Sequence, residues 1–284
     1  PFATTYFVDG TNGADGNSGA SPSEAMASIQ AAVDLTTSGR GDQIVIAPGT
    51  YTITASIIPE AGNVFKAAVT KGRTPTVVIT GNIDNLVEID ASDVKFIGIE
   101  LKASGATADN LVDISETASV DGPEFYNCVF NGGDQTSVKG INADDATYFP
   151  TGLIVKGCLF RDLTGTHINI GATGMPYAEI QCNQFAIDVA AGTAIALADT
   201  TTFAIGKGYV ISDNVFTGVD STADEVGITI AGTENTTGAG IIARNYFAFL
   251  AAAAITVDKL SQSEVQNYYG DAATGGTLVD PGTL

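Results

Sequence analysis

Side chains able to do chemistry are sparse in this sequence and widely scattered. The single histidine, His167, directly precedes an Ile168-x-Ile170 pair. Strand alternation would turn both isoleucines inward, which predicts an outward-facing imidazole. With Arg161 and Asp162 close by in sequence, His167 could work as a surface acid–base group, or it could be an exposed structural histidine. Arg40 and Arg73 lie near the start, while Arg161 and Arg244 are separated by several repeats, so no basic cluster is expected. Asp9, Asn12, Asp15 and Asn17, interleaved with Gly10, Gly13, Gly16 and Gly19, have the composition of a calcium loop. An EF-hand counted from Asp15 would need Glu at its twelfth position, where Met26 stands, so a turn held by Asx side chains is preferred. Cys128, Cys158 and Cys182 are too few and too unevenly spaced for a disulfide framework or a thiolate zinc site. These patterns assign no catalytic residue, no metal and no cofactor.

Composition narrows the partners. The 284 residues carry 32 acidic against 12 basic side chains, a formal charge of −20. That balance opposes nucleic acid, anionic membranes and acidic polysaccharides. Hydrophobic residues make up 44% and charged ones only 15%, so much of the surface must be neutral and polar. No apolar run approaches the length of a membrane span. A start at Pro1 fits removal of an initiator Met and is expected for a protein exported by lysis or assembled inside the cell.

The elements that must position any site come from an internal repeat. Cys128-x-Phe130, Cys158-x-Phe160, Asn183-x-Phe185, Asn214-x-Phe216, Asn245-x-Phe247 and Asn267-x-Tyr269 recur, with successive aromatics 30, 25, 31, 31 and 22 residues apart. Between them stand apolar-x-apolar pairs: Val87/Ile89, Val112/Ile114, Ile168/Ile170, Ile195/Leu197, Ile228/Ile230 and Ile255/Val257. Two strand signals and a turn per period describe one coil of a solenoid whose neighbours cover each other's edges. The expected fold is all-β, a single-stranded right-handed parallel β-helix with an N-terminal capping α-helix. Asn183, Asn214, Asn245 and Asn267 should form a hydrogen-bonded ladder beside stacked Phe130, Phe160, Phe185, Phe216 and Phe247. Cys128 and Cys158 take the Asn place as small buried filler, in preference to a disulfide. Ser21-Pro22-Ser23-Glu24 reads as a capping box, followed by Met26, Ile29 and Val33 on one helical face. One domain over 1–284 is expected: 1–40 for a strand and the capping helix, 41–270 for the rungs, 271–284 for a tail.

The run from Tyr6-Phe7-Val8-Asp9-Gly10 through Ser28-Ile29-Gln30-Ala31-Ala32-Val33 to Gly41-Asp42 and Ala47-Pro48-Gly49-Thr50-Tyr51 resembles the opening of pectin-lyase-like right-handed β-helix proteins. That superfamily includes lyases, hydrolases, epimerases, surface proteins and phage virion proteins, so the resemblance implies the fold and leaves the activity open. For a lyase it implies a groove lined with calcium-binding carboxylates and a basic Arg or Lys. For a pectin hydrolase it implies Asn-Thr-Asp, Asp-Asp and Gly-His-Gly motifs, of which only Asp144-Asp145 has a match, and no residue is carried over from it.

Insertions near 142–152, 171–177, 198–208 and 231–239 fall between the apolar pair and the next aromatic, so they should project from one corner. They carry Tyr148, Phe149, Met175, Tyr177 and Phe203, either as a contact face for a partner or folded back over the flank. The segment from Phe247 to Ile255, with Phe249, Leu250 and four alanines, is expected to be buried against another subunit or the tail. The functional expectation is a non-enzymatic phage structural protein, a capsid decoration or head-surface component. It would be a homotrimer on the virion surface, partnered by a protein such as the major capsid protein, with no nucleic acid and no membrane. The alternative is an extracellular polysaccharide lyase, hydrolase or glycan-binding β-helix protein.

Overall fold

The computed structural model describes residues 2–71, 74–106, 109–114, 119–144, 151–171, 176–187, 192–199, 208–218, 225–232, 240–248, 250, 255–257, 263–265 and 267–270. The chain coils as a parallel β-solenoid with three faces, and every strand pair in it is parallel. Among the described residues, sheet one has ten strands, from Thr5–Val8 to Ser263–Val265; sheet two has nine, from Gly49–Ile53 to Tyr268–Gly270; sheet three has seven, from Asn85–Ile89 to Ile255–Val257. Each strand pairs with its equivalents one coil before and after, so only the two ends of the stack carry free edges.

Period-two alternation puts one residue class of each rung inside. In sheet one Phe65, Phe96 and Phe125 stack, with ring centroids 4.5 and 5.6 Å apart. In sheet two Phe130, Phe160, Phe185, Phe216 and Phe247 stack at 4.5 to 4.8 Å. The two stacks meet edge to face at Phe125 and Phe130. These rings are essentially inaccessible to water, and each fills the step left by the one below.

The corner between sheets one and two is one left-handed residue followed by the ladder position. Gly98, Asn127, Gly157, Cys182, Asp213 and Arg244 all have φ between 51° and 70°, a region where glycine is unstrained and Asn or Asp tolerated. The Oδ1 of Asn214 accepts from the backbone N–H and the side-chain amide of Asn183, and its Nδ2 donates to the Ile180 carbonyl. Asn245 and Asn267 repeat the arrangement one and two rungs on. Toward the N-terminus, Asn183 accepts from the Cys158 N–H. The Cys158 and Cys128 thiols are free and buried, and they donate to the Phe125 and Phe96 carbonyls. Burial pushes the Cys158 thiol up.

The N-terminal end departs from the expected capping helix. Pro22–Glu24 form a single 3-10 turn, and the only α-helix among the described residues is the five-residue Ile29–Val33. Ser21 makes no side-chain cap: its hydroxyl pairs with that of Ser23, the Glu24 N–H donates to the Ser21 carbonyl, and the Glu24 carboxylate accepts from the Ser18 hydroxyl. Met26 instead bridges Val8, and Ser28 is the cap, accepting from the Ala31 N–H. The free edge of Thr5–Val8 is covered by the segment that follows it: Phe7 N–H donates to Gly19 O, Met26 N–H to Phe7 O and Asp9 N–H to Met26 O. Within that segment Asp9 accepts from the Thr11 and Asn12 N–H groups and from the Asn12 amide, which hold its carboxyl below the usual range.

Candidate functional site

The outer face of sheet two carries two columns set by the strand register. One runs Thr50, Val78, Glu100, Val129, Leu159, Gln184, Val215, Tyr246, Tyr268. The other runs Thr52, Thr80, Lys102, Asn131, Arg161. At ~4.8 Å per rung, Lys102 and Arg161 stand about 10 Å apart, on either side of Asn131.

Between these columns and the following corner lies a groove of about 570 Å3, lined by Thr50, Val78, Thr80, Glu100, Lys102, Ala103, Ser104, Gly133, Gln135 and Arg161. Glu100 is only 7% exposed. Its carboxylate accepts from Asn131 Nδ2 at 2.8 Å and from Arg161 Nη2 at 3.1 Å. This contact reaches across 61 residues of sequence and two rungs. Asp162 stands 3.5 Å from the other terminal nitrogen, Nη1, so the guanidinium is held from two sides, and its Nε is buried without a hydrogen-bond partner. Lys102 is exposed at the rim.

The groove brings Lys102 to Arg161, while the arginines themselves stay apart: Arg244 is three rungs from Arg161, and Arg73 lies outside the described residues. Arg161 is visible in the sequence, but Lys102 was not singled out. The signal that could have found it is the spacing: Lys102, Asn131 and Arg161 sit one, one and one positions after the inward Leu101, Phe130 and Phe160. Calcium, which the resemblance implies for a lyase groove, asks for several oxygen ligands. Among the described residues Glu100 is the one carboxylate lining this groove, and these residues do not fit that ion.

His167 is fully buried, against the expectation of an outward-facing imidazole. It lies beside the stacked Phe160 and Phe185 rings, with centroids 6.1 and 6.0 Å away. It occupies the corner before Ile168–Ile170, where strand alternation does not extend. Both ring nitrogens lack a hydrogen-bond partner, and burial lowers its pKa from 6.5 to about 3. Surface acid–base chemistry is therefore closed to it.

Asp144 sits at the end of a polar ladder on the outside of sheet three. Asn142 Nδ2 donates to both Asp113 and Asp144 at 2.8 Å, and Lys139 binds Asp144 at 3.2 Å. Despite partial burial, the Asn142 amide and the Lys139 ammonium keep the Asp144 carboxyl low. Asp145 lies outside the described residues, as do Tyr148, Phe149, Met175, Phe203, Phe249 and the alanines 251–254. Tyr177 is 53% exposed with φ 63°, and Leu250 packs partly against the core.

No protein-family model matches the chain, and no curated protein matches it. Solved structures do. A PL6 family alginate lyase superposes with a TM-score of 0.62 at 12% identity, covering 95% of this chain and 40% of the lyase. The pectin methylesterase from Aspergillus niger gives 0.63 at 14%, covering 99% and 94%. Pectate lyase Pel9A gives 0.53 at 15%, covering 98% and 82%. The fold is a right-handed parallel β-helix. This β-helix spans about 40% of the length of the alginate lyase and most of the other two. The neighbours overturn the expectation of a non-enzymatic capsid decoration or head-surface protein, since they are enzymes of polysaccharides and none of the three is a virion protein. The physical reason is that the opening sequence motif encodes the solenoid and carries no information about what lies along it.

Proposed function

We propose that this β-helix acts on a polysaccharide lying along the outer face of sheet two, receives an acidic sugar at Glu100, Lys102 and Arg161, and cleaves it by β-elimination. One observation carries the reading: the fold brings two cations from distant rungs into a single groove in which Glu100 orients Arg161. A glycoside hydrolase would generally need two carboxylates spaced across the bond, and this groove lines up one. The polysaccharide-acting neighbours support the same class.

In this scheme the Arg161 guanidinium meets the sugar carboxylate and withdraws charge from the adjacent carbon. The Lys102 amine, when unprotonated, takes the proton from that carbon. The freed electron pair forms the carbon–carbon double bond, the glycosidic C–O bond breaks, and the departing oxygen takes a proton from water. The −20 charge of the whole chain opposes the approach of an anionic polymer, so moderate salt should aid binding by screening that repulsion. An extracellular site of action belongs to the same proposal.

Incubation with alginate, pectate and a neutral glucan tests it. The expected result is an ultraviolet-absorbing unsaturated product from a polyuronate and none from the glucan, lost in Lys102→Ala. Binding without product would reduce the reading to a glycan-binding protein. Absence of both binding and product would end it.

A further inference from the structure

Tyr246 and Tyr268 are a direct cross-strand pair on the outside of sheet two, 39% and 40% exposed. They continue the column that holds Glu100 and Leu159, through Gln184 and Val215. At ~4.8 Å per rung, Tyr246 stands about 14 Å beyond Leu159, and Tyr268 one rung further. No ionisable side chain occupies this column between Glu100 and the tyrosines; the intervening positions are Val129, Leu159, Gln184 and Val215. The two part-exposed rings at successive rungs form a paired aromatic patch on an otherwise uncharged strip, and a contiguous patch of this kind points to a binding surface.

We propose that Tyr246 and Tyr268 form a second, uncharged subsite that stacks against the apolar faces of sugar rings and holds the far end of the same glycan whose reacting unit sits in the Lys102–Arg161 groove. This inference rests on the polysaccharide reading above. The occupant is a glycan because the pair is collinear with the groove, and a chain laid along the helix axis crosses both. A tyrosine offers a flat apolar ring with a polar tip, which suits a partner that is apolar on the faces of its rings and hydroxylated at their edges. Stacking of this kind adds affinity only once the bound chain is long enough to reach the pair, and it is insensitive to salt, unlike the ionic groove.

The test compares short and long oligosaccharides of the polymer that the wild-type protein binds, with Tyr246→Ala/Tyr268→Ala and Tyr246→Phe/Tyr268→Phe double variants. Calorimetry gives the affinity of wild type and both variants by the same readout. The expected result is a ~10-fold loss of affinity for long chains in the Ala variant, unchanged affinity for short ones, and retention in the Phe variant. KM for long chains should rise while kcat holds. Equal long-chain affinity in wild type and Ala variant overturns the subsite and leaves the groove reading intact. A Phe variant as weak as Ala also overturns it, since stacking would then not be the cause. A wild-type dimer in light scattering that the Ala variant abolishes would assign the pair to a second copy of this chain instead. Failure of wild type to bind any polysaccharide would overturn both readings together.

Discussion

His167 makes the protein's stability depend on pH in a way that can be worked from the structure. The imidazole is 0% exposed, both its nitrogens are unpartnered, and burial lowers its pKa from 6.5 to about 3. In the unfolded chain it binds a proton near 6.5; in the folded chain it stays neutral. Stability is therefore complete above that unfolded value and is lost progressively as pH falls toward 3, because the unfolded state takes up the proton first. At about 1.4 kcal/mol per unit, the loss attributable to this residue is about 2 kcal/mol at pH 5 and about 5 kcal/mol once pH is below 3. Other carboxylates titrate over the same range, so the quantity to measure is a difference of differences. Urea unfolding of wild type and His167→Leu is compared at pH 8 and pH 5. Leucine fills nearly the same space beside Phe160 and Phe185 without a titrating group. The variant should be no less stable at pH 8, since two unpartnered nitrogens are removed, and should gain about 2 kcal/mol on wild type on going to pH 5. A wild-type-to-variant gap that stays constant within about 0.5 kcal/mol between the two pH values would refute the buried, neutral imidazole.

Other expectations follow from the same geometry. Lys102→Ala should lower the rate of unsaturated-product formation by ~100-fold or more while leaving the unfolding midpoint unchanged, as removal of an exposed general base does. Asn214→Ala should destabilise by about 3 kcal/mol in chemical denaturation, because the Asn183 N–H and the Ile180 carbonyl lose their partner at once in a dry corner. Phe160→Ala should cost about 3–5 kcal/mol, since it removes a ring stacked on both sides and opens a cavity beside His167. Arg244→Ala, by contrast, should shift stability by less than about 1 kcal/mol, because its contacts to Asp213 lie in solvent.

The sequence by itself determined the solenoid. Inward Phe and Ile at alternate positions, a small or amide residue two before each aromatic, and a period near 30 leave one way to bury every face, which is to stack coils in register. Local chemistry was read less well where two local rules competed. The capping box at Ser21 gave way to a Ser21–Ser23 hydroxyl pair and a Ser18–Glu24 contact, and the short helix that formed is capped by Ser28. The alternation that places Ile168 inward begins at the strand and does not extend back into the corner, so His167 lies inside the wall although it directly precedes an inward isoleucine. Tertiary structure alone decided the groove. Whether Lys102, Asn131 and Arg161 share a column depends on the number of residues in each corner, and a slip of one residue would turn any of them inward. Glu100 and Arg161 are 61 residues apart, and no local pattern states that distance. Their contact exists because parallel stacking converts a sequence separation of two coils into ~10 Å of space.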